Sequence, residues 1–278
     1  PARRVIFSDR SIRSVRTTVG VIQRPTRERS DAGKTISQQL ALKGYPFTTA
    51  GFLNAARRGD YAALDLFIAG GQDIDASNTF GTTGLLAAAQ AGQLRSIEIL
   101  LANNADMQAR TAQGDTALHL AARSNNTEIV NLLVRRGLDV NIKNADGRTP
   151  LFDAIQRNNE DVFVLLLSQN ANINVADPLG TTPLLLAVRT RSVPLARVLV
   201  ARGANIQAQD RAGNTPLLLA ASQNHFAMTK LLLDAGADPN QRGPSGKSLI
   251  DWVLEKQYVN IANLLLGYGA SRPNILGQ

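Results

Sequence analysis

The sequence predicts an all-α solenoid of seven stacked helix–turn–helix units with β-hairpin or turn fingers, preceded by a basic N-terminal arm. Three observations predict it. Gly81, Gly114, Gly147, Gly180, Gly213 and Gly246 stand 33 residues apart. Two residues after them come Thr83, Thr116, Thr149, Thr182, Thr215 and Ser248, and four residues after come Leu85, Leu118, Leu151, Leu184, Leu217 and Ile250. A fixed period of this length is the signature of a repeat architecture. Aromatic residues are only 5% of the chain, while Leu and Ala are plentiful. That balance favours closely packed helices over a β-sandwich.

In chain order, residues 1–47 form the arm. They hold ten basic and three acidic residues, a net of +7, whereas the rest of the chain holds 20 and 19. The basic character therefore belongs to the arm and not to the body. Alone, residues 1–30 would be disordered. Lys34 to Lys43 reads as a short helix stopped by Gly44, placed to cover the first unit. Residues 48–278 then divide into units starting at 48, 81, 114, 147, 180, 213 and 246.

The unit beginning at Gly213 shows the local logic. Thr215 is an N-cap whose hydroxyl accepts an orphan backbone N–H. Pro216 takes the first helical position, where its missing N–H costs nothing. Ala220 and Ala221 let neighbouring helices approach closely. A second helix carries Leu231, Leu232 and Leu233 and stops at Gly236, a left-handed C-cap. Asp238, Pro239 and Asn240 supply the turn to the next glycine. No unit buries its apolar face alone, so the units must stack. The last unit is more polar, with Asp251, Glu255, Lys256 and Asn260, as a wettable cap requires.

The run Gly114-Asp115-Thr116-Ala117-Leu118-His119-Leu120-Ala121-Ala122 resembles the ankyrin repeat, as does Gly236-Ala237-Asp238-Pro239-Asn240. The resemblance covers about five-sixths of the chain, residues 48–278. The first unit departs from the family pattern, with Ala50-Gly51 in place of Thr-Pro. The resemblance implies a scaffold that binds other proteins on a concave face built from fingers and first helices. It names no particular partner, because the family is defined by its scaffold.

Catalysis finds little support. The chain has no Cys, which excludes thiol catalysis, disulfides and cysteine metal sites. Only His119 and His225 are available, at positions where ankyrin repeats favour a locally hydrogen-bonded His, and they lie over three units apart. No H-E-x-x-H, G-x-S-x-G or Walker motif is present. Gly33-Lys34-Thr35 has Glu28 where a P-loop needs its first Gly, and a carboxylate there would repel phosphate. Glu160 and Asp161 fall at the start of a second helix, where the dipole favours them. The expectation is a non-enzyme with no cofactor and no metal. No apolar run nears the roughly 18 residues of a membrane span. The absent Cys leans towards an exported protein, with the cytoplasm as the alternative.

The candidate partner-binding residues follow from the period. The positions after the buried Ala pair hold Arg57, Arg58, Gln90, Arg123, Arg157 and Arg189, with Arg191 close by. Beside the repeat glycines stand Phe80, Arg148, Leu179 and Arg211, and Phe152 takes the place usually given to His. The expectation is a monomer whose groove takes an acidic protein surface, with Phe80, Phe152 and Leu179 as apolar anchors. Docking on an enzyme, such as an exported hydrolase, would inhibit it. The alternative is an electrostatic tether, in which the arm binds nucleic acid or an anionic membrane. Few aromatics in the arm make nucleic acid the weaker ligand. A self-assembling structural unit is a third reading, opposed by the unequal polarity of the caps.

Overall fold

A computed structural model describes residues 34–243 and 246–271. Of the expected arm over residues 1–47, residues 1–33 lie outside the described residues. Fifteen helices are described: α1 (Ile36–Leu42), α2 (Thr49–Arg58), α3 (Tyr61–Ala69), α4 (Gly84–Gln90), α5 (Leu94–Ala102), α6 (Ala117–Arg123), α7 (Thr127–Arg135) and α8 (Pro150–Arg157) come first. They are followed by α9 (Glu160–Ser168), α10 (Pro183–Arg189), α11 (Val193–Ala201), α12 (Pro216–Ser222), α13 (Phe226–Asp234), α14 (Leu249–Glu255) and α15 (Val259–Gly267). Helix α1 stands alone, and the other helices form seven pairs. The even-numbered helices α2 to α14 pack in series, and α1 packs on α3.

The sequence signals act where the period places them. The hydroxyls of Thr83, Thr182 and Thr215 accept from the backbone N–H of Leu86, Leu185 and Leu218, and that of Ser248 accepts from Asp251. Pro150, Pro183 and Pro216 open their helices. Thr35 caps α1 by accepting from Gln38, so the Thr of Gly-Lys-Thr serves a helix start and not a phosphate. The Ala pairs 55–56, 88–89, 121–122 and 220–221 are all buried, which lets successive first helices pack closely. Second helices bury Leu64, Ile97, Val130, Phe163, Leu199, Leu232 and Leu265 against them.

The departure at the first unit has a tertiary cause. A Cβ at Gly51 would lie 2.1 Å from the Pro46 carbonyl oxygen and 3.0 Å from the Phe67 ring. The chain leaving α1 crosses there, so the usual proline cannot fit. Phe47 stacks on Phe67 at 5.6 Å between centroids, and Tyr45 meets its edge. This aromatic group closes the N-terminal end of the core.

Between units the chain is tied by side chains that replace a sheet. The only β-bridge among the described residues joins Arg242 to Ser248, so the fingers are turns and not β-hairpins. Their polar residues bond locally: the side chains of Asn78, Asn144, Asp177 and Asp210 each accept two backbone N–H groups of their own finger. This local satisfaction removes the need for a ladder. A second row links successive units. Asp75, Asn141, Asn174 and Asn240 accept from the backbone N–H of Asp106, Asn172, Asn205 and Ser271, at 2.7–2.8 Å. Gln108 and Gln207 hold the equivalent places and make no such bond. Their extra methylene carries the amide past the acceptor position.

Candidate interaction groove

The C-terminal ends of the first helices and the adjoining fingers share one face of the stack, the inner face. Its Arg residues fall into two sets. Arg123 lies half-buried between two acids: Nη2 donates to Asp115 at 3.0 Å, and Nε and Nη2 donate to Asp153 Oδ1 at 3.0 and 2.7 Å. Arg148 pairs with Asp177 in the following finger at 3.3 Å, and Arg189 pairs with Asp210 in the finger after its own helix pair at 2.7 Å. These three are spent on internal acids, and Arg123 also joins two units through Asp153. By contrast, Arg57, Arg58, Arg157, Arg191 and Arg211 are exposed and have no acidic partner among the described residues. Gln90 is exposed beside them.

Arg191 adds a second observation. It sits at φ 60°, the left-handed region, between α10 and α11. The same position elsewhere holds Gly59, Gly92, Asn125, Asn158 and Asn224, residues that tolerate this backbone, and Gln257 in the last unit, at φ 59°. An Arg there costs local strain, and its side chain makes no hydrogen bond or ion pair among the described residues. Strained backbone clusters at functional sites, although Gln257 shows that this turn imposes the same conformation in another unit.

The apolar candidates also divide. Phe80 is 65% exposed and Leu179 is 55% exposed, each on a finger tip. Their backbone carbonyls accept from Ala112 and Arg211 in the next finger, at 2.8 and 2.9 Å, so both tips are anchored. Phe152 is not an exposed anchor. It is 1% exposed and belongs to the core, in the same helical row as buried Leu86, His119 and Leu185. Its ring fills inter-unit space that His or Leu fills elsewhere.

His119 is likewise structural. Its Nε2 lies 3.0 Å from the Arg148 carbonyl, and only an Nε2–H satisfies that acceptor. Nδ1 then accepts from the Thr116 N–H at 3.3 Å and hydroxyl at 3.0 Å. Burial lowers its pKa and outweighs the Arg148 carbonyl, so the ring is neutral near pH 7. His225 caps α13 by accepting from Met228. Asp115, His119 and Asp153 bring ligand atoms within 4.8 Å of one another, the spacing of a metal cluster. Yet the guanidinium of Arg123 bridges both carboxylates, and the His nitrogens are committed. The cation of this cluster is Arg123.

The carboxylates respond differently to their places. Burial pushes Asp153 up to about 6, against the pull of Arg123 and with a push from Asp115, and its Oδ2 has no hydrogen-bond partner. For Asp210, burial also opposes ionisation, but bonds from Asn214, Ala212 and Arg189 prevail and hold it below its usual value. The sequence reading missed these acids. Asp153 was visible in register, since its row otherwise reads Asn54, Ala87, Leu120, Leu186, Leu219 and Trp252.

That row also forms the floor of the inner face. Two hollows open on it. One of about 230 Å³ is lined by Gln90, Leu120, Arg123, Ser124 and Arg157. The other, about 190 Å³, is lined by residues that include Leu218, Ser222, Leu249 and Trp252. Both fall below the roughly 300–1,000 Å³ of a small-molecule site.

Comparisons place this geometry among known proteins. A family model described as ankyrin repeats (3 copies) matches residues 52–144 and 137–210. Another, ankyrin repeats (many copies), matches residues 199–252. The crystal structure of the human ASB11 ankyrin repeat domain is similar, with a TM-score of 0.68 and 28% identity. The match covers 80% of this chain and 99% of that one. No curated protein matches the chain.

Proposed function

Since the chain belongs to the ankyrin repeat family, whose repeats are protein–protein interaction modules, we propose that it is a non-catalytic module holding an acidic protein surface against its inner face. Arg57, Arg58, Arg157, Arg191 and Arg211 provide forked donors for carboxylates, and Phe80 and Leu179 provide apolar contacts at the finger tips. The observation that carries the reading is the division of the arginines. Three are consumed by internal acids, whereas five are left solvated, one of them on strained backbone. A single chain suffices, because the face runs along one stack. Where the partner is an enzyme, docking over its active site would inhibit it.

The test is affinity capture from the native source with the full chain, compared with a chain carrying Arg57→Glu, Arg157→Glu and Arg191→Glu. Arg123 and Arg189 are left intact, because reversing them would set like charges against the internal acids they bond. The reading predicts one stoichiometric acidic protein, lost from the triple variant. A partner retained by that variant would contradict it. The net charge of the arm supports a second reading, a tether to nucleic acid or anionic membrane. Binding abolished by moderate salt, with only nucleic acid or lipid recovered, would favour that reading.

A further inference from the structure

The Arg123 cluster lies directly under the inner face. It joins one guanidinium to two carboxylates, Asp115 and Asp153, and His119 beside them is neutral near pH 7. Within the cluster, acids therefore outnumber cations by one. Arg123 spends Nε and Nη2 on the two acids, while its Nη1 makes no hydrogen bond among the described residues. The side chain is 34% exposed and lines the larger hollow, with Gln90, Leu120, Ser124 and Arg157. Free N–H donors in a hollow beside a second guanidinium suit a carboxylate. The surplus negative charge opposes it, because Asp153 sits on the same guanidinium.

Asp153 is also where a proton fits. Both bonds that it accepts fall on Oδ1, and Oδ2 is buried with no donor. By contrast, both oxygens of Asp115 are bonded, Oδ1 to Asn144 and Oδ2 to Arg123. Both ring nitrogens of His119 are committed as well. The surrounding charges are few. Helix α6 brings His119 and Arg123, the fingers bring Asp115 and Arg148, and α8 itself has Arg157 one turn on. Of the other helices packed on α8, α9 carries Glu160 and Asp161, both exposed, and α10 carries Arg189, held by Asp210 at 2.7 Å. Burial is the largest influence and lifts the Asp153 carboxyl to about 6.

Resting on the inner-face docking proposed above, we infer that this docking is proton-linked through Asp153: its protonation removes the surplus negative charge beneath the hollow, frees Arg123 for a carboxylate of the partner, and strengthens the hold on an acidic protein. In the protonated form Arg123 keeps Asp115, and its Nη1 and Arg157 take the incoming carboxylate. That carboxylate in turn opposes ionisation of Asp153, so docking takes up a proton. Affinity is lowest and level well above pH 6 and rises as pH falls through about 6. The partner's own exposed carboxylates, with ordinary values of about 4, stay ionised over this window. Removing one unit charge a few ångströms from the seat, in a half-buried site, is worth about tenfold in affinity.

The probe is a fluorescently labelled deca-aspartate peptide. It is titrated by anisotropy against the full chain and its Asp153→Asn variant, at constant ionic strength, from about pH 5.5 to about pH 8. Asparagine fixes the uncharged form and keeps an oxygen for Arg123. The wild-type chain should bind about tenfold more tightly at the acid end than at the alkaline end. The variant should bind throughout about as tightly as the wild type does at the acid end. Calorimetry at about pH 6.5, in two buffers of different ionisation enthalpy, should show proton uptake by the wild type and none by the variant. A wild-type affinity that ignores pH, or a variant that keeps the wild-type pH dependence, overturns the inference. A chain carrying Arg57→Glu, Arg157→Glu and Arg191→Glu separates the two failures. Binding that ignores pH but is weakened in that chain leaves inner-face docking standing and removes the proton link. Binding undiminished in that chain, or no binding by the wild type at any pH, removes both.

Discussion

Replacing Asp153 by Asn should stabilise the protein at neutral pH, although it removes half of an ion pair. The side chain is only 14% exposed, and both bonds from Arg123 fall on Oδ1 while Oδ2 is buried without a partner. Burial therefore dominates and lifts the carboxyl to about 6 from 3.8. The sign follows from linkage. Between these values the folded chain binds more protons than the unfolded chain, so protonation favours folding. Stability from this group is fully present below about pH 4, falls as pH rises through about 6, and is then constant. A rise of that size corresponds to about 3 kcal/mol above pH 6. In the Asp153→Asn variant the amide oxygen still accepts from Arg123, and Arg123 keeps Asp115. The variant should gain about 1–3 kcal/mol at neutral pH and lose the pH dependence between about 4 and 6. Urea unfolding of both proteins from about pH 4 to about pH 8 reads this directly. A variant destabilised by about 1 kcal/mol or more at neutral pH would overturn this. It would mean that attraction to Arg123 exceeds the cost of burial, as when a buried pair is broken from one side.

Three further outcomes follow from the same geometry. Arg191→Gly should relax the left-handed backbone and raise stability by about 1 kcal/mol in denaturant unfolding, while weakening partner capture. Loss of stability would show that the Arg side chain is held within the chain. Phe152→Ala should cost about 3–5 kcal/mol, because it empties a fully buried site, whereas Phe80→Ala should change stability by under about 0.5 kcal/mol and act on binding alone. Equal costs in thermal unfolding would contradict that division. Gln108→Asn should restore the missing tie to the following unit and add about 0.5–1.5 kcal/mol. Slower amide exchange at Asp139 is the specific readout, and unchanged exchange there would rule the bond out.

Much of the fold was legible because each unit writes the same local signals in the same register. Thr215, Pro216 and Gly236 act through neighbours a few residues away, so one sequence window contains both partners. What escaped the sequence spans units. Gly51 reads as a defect until Pro46 and Phe67 are seen against it. Arg148 and Asp177 are 29 residues apart, and Arg123 and Asp153 are 30 apart, so their charges cancel only in the stack. A count of arginines thus overstates the free charge of the inner face. Phe152 shows a different failure. Its size suggested an anchor, but its row already contained Leu86 and Leu185, which argued for burial. Phe80 and Leu179 were placed correctly as exposed because a finger tip has no neighbouring helix to cover it.

Hydrogen exchange of the full chain, alone and with its captured protein partner, tests inner-face docking most directly. Exchange should slow at the finger tips around Phe80 and Leu179 and at the C-terminal turns of α2, α8 and α10. Protection confined to the second helices, α3 through α15, would contradict inner-face docking and move the binding surface to the opposite side of the stack.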